Sequence, residues 1–155
     1  MQPMVMRSNL VFAAILTAAL PSSVARPKVS AMPGPVEARV LDVVDGDTLR
    51  VAARVWLGQD VETLVRIAGI DAPELHGKCA RERAMAQAAK DLLAGRLGRT
   101  VRLRDISNGK YAGRVVARVE LSEGADAAAI LLDAGLARPY GGGARRPWCP
   151  LPGTG

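Results

Sequence analysis

The chain has 155 residues, a length that suits one domain with a real core and leaves too little for two. It carries 21 Lys and Arg against 15 Asp and Glu, for a formal net charge of +6, and most of the positive residues are Arg, which forks onto phosphate or carboxylate better than Lys. A polyanion is therefore the first partner to consider, although charge alone does not establish one, since many small globular proteins are basic.

Met1 to Arg7 carries one positive charge, and Leu10 to Leu20 (LVFAAILTAAL) follows as an apolar run. At about 11 residues this run is too short to span a bilayer. Ser22-Ser23-Val24-Ala25 then places small residues at −3 and −1 of a cut after Ala25, and Val29-Ser30-Ala31 offers a second cut. Residues 1–25 read as a cleavable secretory signal and 26–36 as a linker, so the protein is expected to be exported, periplasmic or secreted, with no stable membrane anchor after cleavage. Export also sets the expected state of Cys79 and Cys149. Disulfides persist outside the reducing cytosol, and an even pair suggests a bridge.

From Glu37 onward the pattern alternates. Leu49, Val51, Ala53, Val55 and Leu57 share one parity, and Arg50, Ala52, Arg54 and Trp56 take the other, which predicts a half-buried strand. Similar runs at Ala38 to Val44, Val61 to Ile70, Thr100 to Ile106 and Arg114 to Leu121 make five strands. Between the third and fourth, Ala80 to Ala94 sets Ala80, Ala84, Met85, Ala88, Leu92 and Leu93 at helical spacing, predicting an amphipathic helix with Met85 in the core and an end near Gly95 or Gly98. A shorter helix fits Asp126 to Ala134, with Gly135 as its stop. The expected fold is a β-rich α+β domain over residues 37–140. It would be a five-stranded OB-fold barrel with a helix between strands 3 and 4 and a short C-terminal helix, followed by an aperiodic tail at 141–155.

The segment VVDGDTL places Asp45-Gly46-Asp47 between two strands, and Asp-Gly is itself a favoured two-residue hairpin turn. A second acidic loop ends VRIAGIDAPE, where Asp71 stands at the end of a strand and Glu74 follows on a stretch directed by Pro73. Two acidic loops at strand ends in a basic chain could converge on a hard divalent cation, and Ca²⁺ accepts carboxylates and backbone carbonyls together. Strict pleating sets Arg66 and Asp71 on opposite faces, so a common site requires a bend, expected at Gly69. A third piece, KYAGR, carries Lys110 and Tyr111 on a turn feeding the strand that begins at Arg114.

In this order, with LLDAGLARPY following, these segments resemble the staphylococcal nuclease (thermonuclease) family of Ca²⁺-dependent OB-fold phosphodiesterases, from about Ala38 to Tyr140. The resemblance implies Ca²⁺ held by Asp47, Asp71 and the main-chain carbonyl of Ala72, where family members often carry Thr. It implies Glu74 as the catalytic glutamate and Arg66 and Arg114 as the phosphate-binding arginines. Lys110 and Tyr111 are implied as nucleotide contacts, and Tyr140 falls near an aromatic position of the nucleotide pocket. Because KYAGR is one residue longer than the commoner KYGR, Lys110 and Tyr111 are placed less firmly than Arg114. The implied substrate is DNA or RNA, preferentially single-stranded, acted on by a monomer.

The chain departs from the family in its few aromatics, which weakens the expectation of base stacking, and in its C-terminus. In place of a long last helix stands GGGARRPWCP. There a Cys79–Cys149 bridge would pin the tail beside the first helix, near Glu74. Trp148 is expected to pack under the tail and His76 to be a loop residue without a ligand role. Arg145 and Arg146 are expected either to reach a phosphate backbone or only to solubilise the tail. Two rivals remain at this level: a non-catalytic nucleic-acid-binding OB module, and an envelope adaptor whose basic face binds anionic polymers.

Overall fold

A computed structural model describes residues 30–150. The expected signal segment lies outside them. In chain order the elements are β1 (Ala31–Met32), β2 (Val36–Asp45), β3 (Thr48–Trp56), β4 (Gln59–Ile67), β5 (Ile70–Asp71), α1 (Ala80–Arg96), β6 (Thr100–Asn108), β7 (Arg114–Leu121), α2 (Ala127–Asp133) and β8 (Arg138–Pro139).

β2, β3 and β4 form an antiparallel meander, β4 pairs in parallel with β7, and β7 returns antiparallel to β6. β6 then pairs with β2 and closes the sheet. This is the expected five-stranded barrel, with α1 inserted where β4 gives way to β6. Register shifts in β2 between Val40 and Asp42 and between Val43 and Asp45 mark bulges of the kind that let so small a barrel curl. β1, within the stretch read as linker, adds a two-residue edge to β6.

The inward parity is the apolar one. Leu49 and Val51 of β3, Val65 and Ile67 of β4, Val101 and Leu103 of β6 and Val119 and Leu121 of β7 are all fully buried, and Leu93 of α1 and Leu131 of α2 cover them. On the usual scale each such side chain contributes about 1.5–3 kcal/mol through burial. The alternation in β3 does not stay inside as expected. Val55 and Leu57 are exposed because the β3–β4 hairpin runs past the last pairing with β2, where the described residues leave the inward parity uncovered.

The long helix forms where expected but buries a different face. Glu82, Ala86, Ala89 and Leu93 are buried, whereas Ala84 and Ala88 are exposed and Met85 is only half-buried at the margin of the core. In an alanine-rich helix the pattern barely distinguishes one face from another, and tertiary packing chooses. Here the helix presents its small residues to the β2–β3 turn: a Cβ on Gly46 would stand 2.8 Å from the Cβ of Ala89 and 3.0 Å from that of Ala72. Lys90 Nζ donates to the carbonyl of Val44 at 3.3 Å, tying the same helix to the bulged end of β2. α2 is set by local chemistry: Asp126 caps its start by accepting from the Ala128 amide at 2.8 Å, and Gly135, at φ +68°, ends it.

Candidate functional site

Asp45 and Thr48 pair across the turn, which leaves Gly46 and Asp47 as its two central residues. The turn is thus one residue later than an Asp-Gly hairpin. Gly46 is required by the close approach of α1 rather than by a left-handed φ. The Asp45 carboxylate accepts from the Asp47 amide at 3.0 Å, an Asx turn that holds the loop. Burial pushes the Asp45 carboxyl above the usual carboxylate range, and the nearby Asp47 and Glu74 charges add to that push.

Asp47 is buried, and both of its carboxylate oxygens have partners. Thr48 Oγ1 donates to Oδ1 at 3.0 Å, the Ala72 amide donates to Oδ2 at 3.3 Å, and the Arg66 guanidinium forms a salt bridge to Oδ2. Arg66 comes from β4, directly opposite Thr48, and its other arm donates to the carbonyl of Ile70 at 3.0 Å. A buried pair of this kind gains little net stability but costs several kcal/mol if one partner is removed, so its geometry is strongly held.

The bend between Arg66 and Asp71 falls at Gly69, whose φ of +79° is in the left-handed region, while a Cβ there would meet nothing within 4 Å. The requirement is conformational, as expected from the parity conflict. Past the bend, β5 pairs with β8, Asp71 opposite Arg138, so a strand end near the C-terminus supports the acidic loop. The Ala72 amide bonded to Asp47 brings the two acidic loops together. Asp71 is buried to 4% exposure, Ala72 and Pro73 are buried beside it, and Glu74 stands exposed at the rim. With Glu74 at its edge, a cleft of about 350 Å³ opens along the loop toward the start of α1.

Arg114 reaches the same outer face by register. β4 and β7 pair in parallel with Leu64 opposite Arg114 and Arg66 opposite Val116, so Arg66 and Arg114 point to one side of neighbouring strands, two residues apart along them. The Arg114 Nε is buried without a hydrogen-bond partner, and its guanidinium lies 5.2 Å from the Tyr111 ring. Lys110 Nζ lies 5.6 Å from the same ring. Tyr111 is 60% exposed, on a loop fixed to β4 by Thr63 Oγ1 and the Leu64 amide donating to the Gly113 carbonyl. Lys110, Tyr111 and Arg114 thus form a cationic group around an exposed ring and make no ion pair with the acidic residues, among the described residues. Tyr140 is committed elsewhere: its hydroxyl donates to the Gly143 carbonyl at 2.7 Å and its amide to Gly69.

The tail is tied back by a disulfide. Cys79, the residue preceding α1, is bonded to Cys149 across 70 positions, with Cα atoms 5.9 Å apart. Buried Glu82 lies against this bridge and accepts from the Lys78 amide at 3.0 Å. Trp148 does not simply pack under the tail. Its indole Nε1 donates to Asp71 Oδ2 at 3.2 Å, and its ring is stacked 3.6 Å from the Arg138 guanidinium. Arg138 in turn donates to the carbonyls of Arg146 at 2.9 Å and Pro147 at 3.2 Å.

Sequence reasoning missed Arg145. Its Nε lies 3.1 Å from Asp71 Oδ1, and another arm is ion-paired with Glu74 Oε1. Burial works against its charge, but the Glu74 hydrogen bond and the Asp71, Glu74 and Asp47 charges outweigh that and raise its pKa. Neither expected role, phosphate contact or solubility, describes a side chain turned onto the acids. The charge imbalance around Asp71 and Glu74 was the one available signal, and it does not say which Arg answers it.

The family model described as "Staphylococcal nuclease homologue" matches residues 64–146, more than half of the chain. The chain belongs to the staphylococcal nuclease family. The match covers Arg66, Asp71, Ala72, Glu74, Lys110, Tyr111, Arg114 and Tyr140, but begins after Asp47 and ends before Cys149. Among curated proteins no relative matches it. For this member of the family, the barrel is therefore the shared feature. How the disulfide-bonded tail meets the acids must be read from this chain itself.

Proposed function

We propose that the protein is an exported, Ca²⁺-dependent nuclease that hydrolyses phosphodiester bonds of DNA or RNA, acting as a monomer on accessible single strands. The observation that carries this reading is the meeting of Asp47 and Asp71 through the Ala72 amide, with Glu74 at the rim and two arginines on the adjoining sheet face.

The donor set suits a hard cation. Asp47, Asp71 and the Ala72 carbonyl offer only oxygen, and Asp71 Oδ1 is a buried oxygen without a hydrogen bond of good geometry, although Arg145 stands within ion-pair distance. When bound there, Ca²⁺ supplies charge that offsets the phosphate and polarises its oxygens. The chain's own residues supply the rest. Arg66, held rigidly by Asp47 and the Ile70 carbonyl, and Arg114, with an unsatisfied Nε, can stabilise negative charge on the equatorial phosphate oxygens. Exposed Glu74 can take a proton from an attacking water once it is free of Arg145. Lys110 and Tyr111 can hold a nucleotide by charge and by one exposed ring, which favours weak base preference. Tyr140 would line the far side of the site through its ring alone, its hydroxyl being engaged.

Export rests on the N-terminal signal pattern together with the Cys79–Cys149 bridge, a bond that persists in oxidising compartments.

The deciding experiment incubates the purified oxidised protein with single-stranded DNA and RNA, with Ca²⁺ or chelator, beside Glu74→Gln. Ca²⁺-dependent cleavage lost in Glu74→Gln supports the reading. Salt-sensitive binding without cleavage would instead identify a non-catalytic nucleic-acid-binding module.

A further inference from the structure

Residues 141–149 form a strap fixed at both ends. At one end β8 pairs with β5 and the Tyr140 amide donates to the Gly69 carbonyl; at the other, Cys149 is bonded to the residue that starts α1. Between these anchors Gly142 and Gly143 take φ of +103° and +89°, turning the chain back across the acidic loop. Arg138 grips the strap from below through the Arg146 and Pro147 carbonyls and the Trp148 ring. The result is that both carboxylate oxygens of Asp71 face the strap. Arg145 approaches Oδ1 at 3.1 Å, and Trp148 donates to Oδ2 at 3.2 Å.

Two features separate Arg145 from an ordinary surface ion pair. It bridges two carboxylates, Asp71 and Glu74, at the place where their negative potentials add, which is also where a cation is most favoured. Its charge is permanent, because a guanidinium does not lose its proton in a protein. A cation entering at Asp71 must therefore share that carboxylate with Arg145 or displace it. At 41% side-chain exposure, Arg145 has solvent to move into, whereas Arg66, at 11%, is held against buried Asp47.

We propose that Arg145 is a built-in competitor of the divalent cation: a guanidinium delivered to Asp71 and Glu74 by the disulfide-pinned strap, which sets how much Ca²⁺ the site requires. This rests on the reading of Asp47, Asp71 and Ala72 as the Ca²⁺ ligands. The tethered guanidinium competes at an effective concentration on the order of millimolar, so the Ca²⁺ needed for half-saturation rises as the fraction of sites free of Arg145 falls. Arg145 holds both carboxylates, so its release from Asp71 would also release Glu74 and leave the rim carboxylate available to act on water.

The test measures equilibrium Ca²⁺ affinity by calorimetric titration of the oxidised full protein, as wild type, Arg145→Gln and Arg146→Gln, with thermal melting in chelator confirming that each is folded. Losing one charge-assisted contact to Asp71 is expected to tighten Ca²⁺ binding in Arg145→Gln by about tenfold or more. Arg146→Gln removes the same charge one residue along and is expected to change affinity far less. Arg145→Lys, which keeps the charge but not the fork, should fall between wild type and Arg145→Gln. Equal affinity in wild type and Arg145→Gln, or equal tightening in Arg145→Gln and Arg146→Gln, overturns the proposal.

Absence of Ca²⁺ binding in every variant also overturns it, and takes the metal reading with it. Unchanged affinity in a protein whose Ca²⁺-dependent cleavage is abolished by Glu74→Gln overturns only the role of Arg145.

Discussion

Gly46 and Ala89 are so close that a Cβ on the glycine would stand 2.8 Å from the Cβ of the alanine. This contact seats α1 on the turn that carries Asp47, so the fold and the candidate metal site depend on the same few atoms. Gly46→Ala is expected to destabilise the protein by about 1–3 kcal/mol, because the Ala89 methyl group sits on a helix and the Ala72 methyl group is buried beside it. Urea denaturation should show an earlier midpoint with an unchanged slope. Ca²⁺ affinity should fall with it, since the turn must shift to admit the methyl group.

Asp47 and Arg66 form the buried pair beneath the site. Asp47→Asn should abolish Ca²⁺-dependent cleavage and cost about 3 kcal/mol, because the enclosed guanidinium keeps its charge without a counter-charge. Adding Arg66→Met should recover most of that stability and none of the activity. If the double variant were no more stable than Asp47→Asn, the unpaired charge would not be the source of the loss.

Asp45 gives a pH signature. Its carboxyl is raised in the fold above its ordinary 3.8, so between that value and the raised one the folded state holds more proton than the unfolded state. Stability from this group is therefore full below the ordinary value and is lost as pH rises through the raised one. Asp45→Asn keeps an oxygen for the Asp47 amide and removes the desolvated charge. It should be more stable than wild type at neutral pH, with the advantage disappearing near about pH 3. Thermal melts of both proteins across that range check the sign; an advantage that grew on acidification would contradict it.

The Cys79–Cys149 bridge closes a loop of 70 positions and should contribute roughly 4 kcal/mol in the chain-entropy account. Cys149→Ser is expected to lower the melting temperature while leaving the barrel folded. Thiol titration of the denatured, unreduced wild type should find no free thiol. Two free thiols would disprove the bridge in solution.

Much of this protein is local in origin and could be read from the sequence. The five strands follow from period-two apolar runs, the end of the short helix from Gly135, and the bend at Gly69 from the parity conflict between Arg66 and Asp71, whereas the long helix runs through Gly95 and ends on an extended Leu97. The acidic residues could be named because their segments occur in a recognisable order. The export context suggested the disulfide, which the structure contains.

Other features depended on contacts between distant segments, which no local pattern encodes. An alanine-rich helix has nearly equivalent faces, so the close approach of Gly46 to Ala89 decided that Ala86 rather than Met85 lies inside. Val55 and Leu57 alternate like core residues but lie beyond the end of the barrel. The tail shows no periodicity, and only the three-dimensional path between β8 and Cys149 brings Arg145 to Asp71 and Glu74. The sequence by itself determined the five barrel strands, the bend at Gly69 and the placement of the acids on loops at strand ends. Tertiary structure decided which face is buried and which cation meets those acids, because burial and electrostatic pairing act through space between residues far apart in the chain.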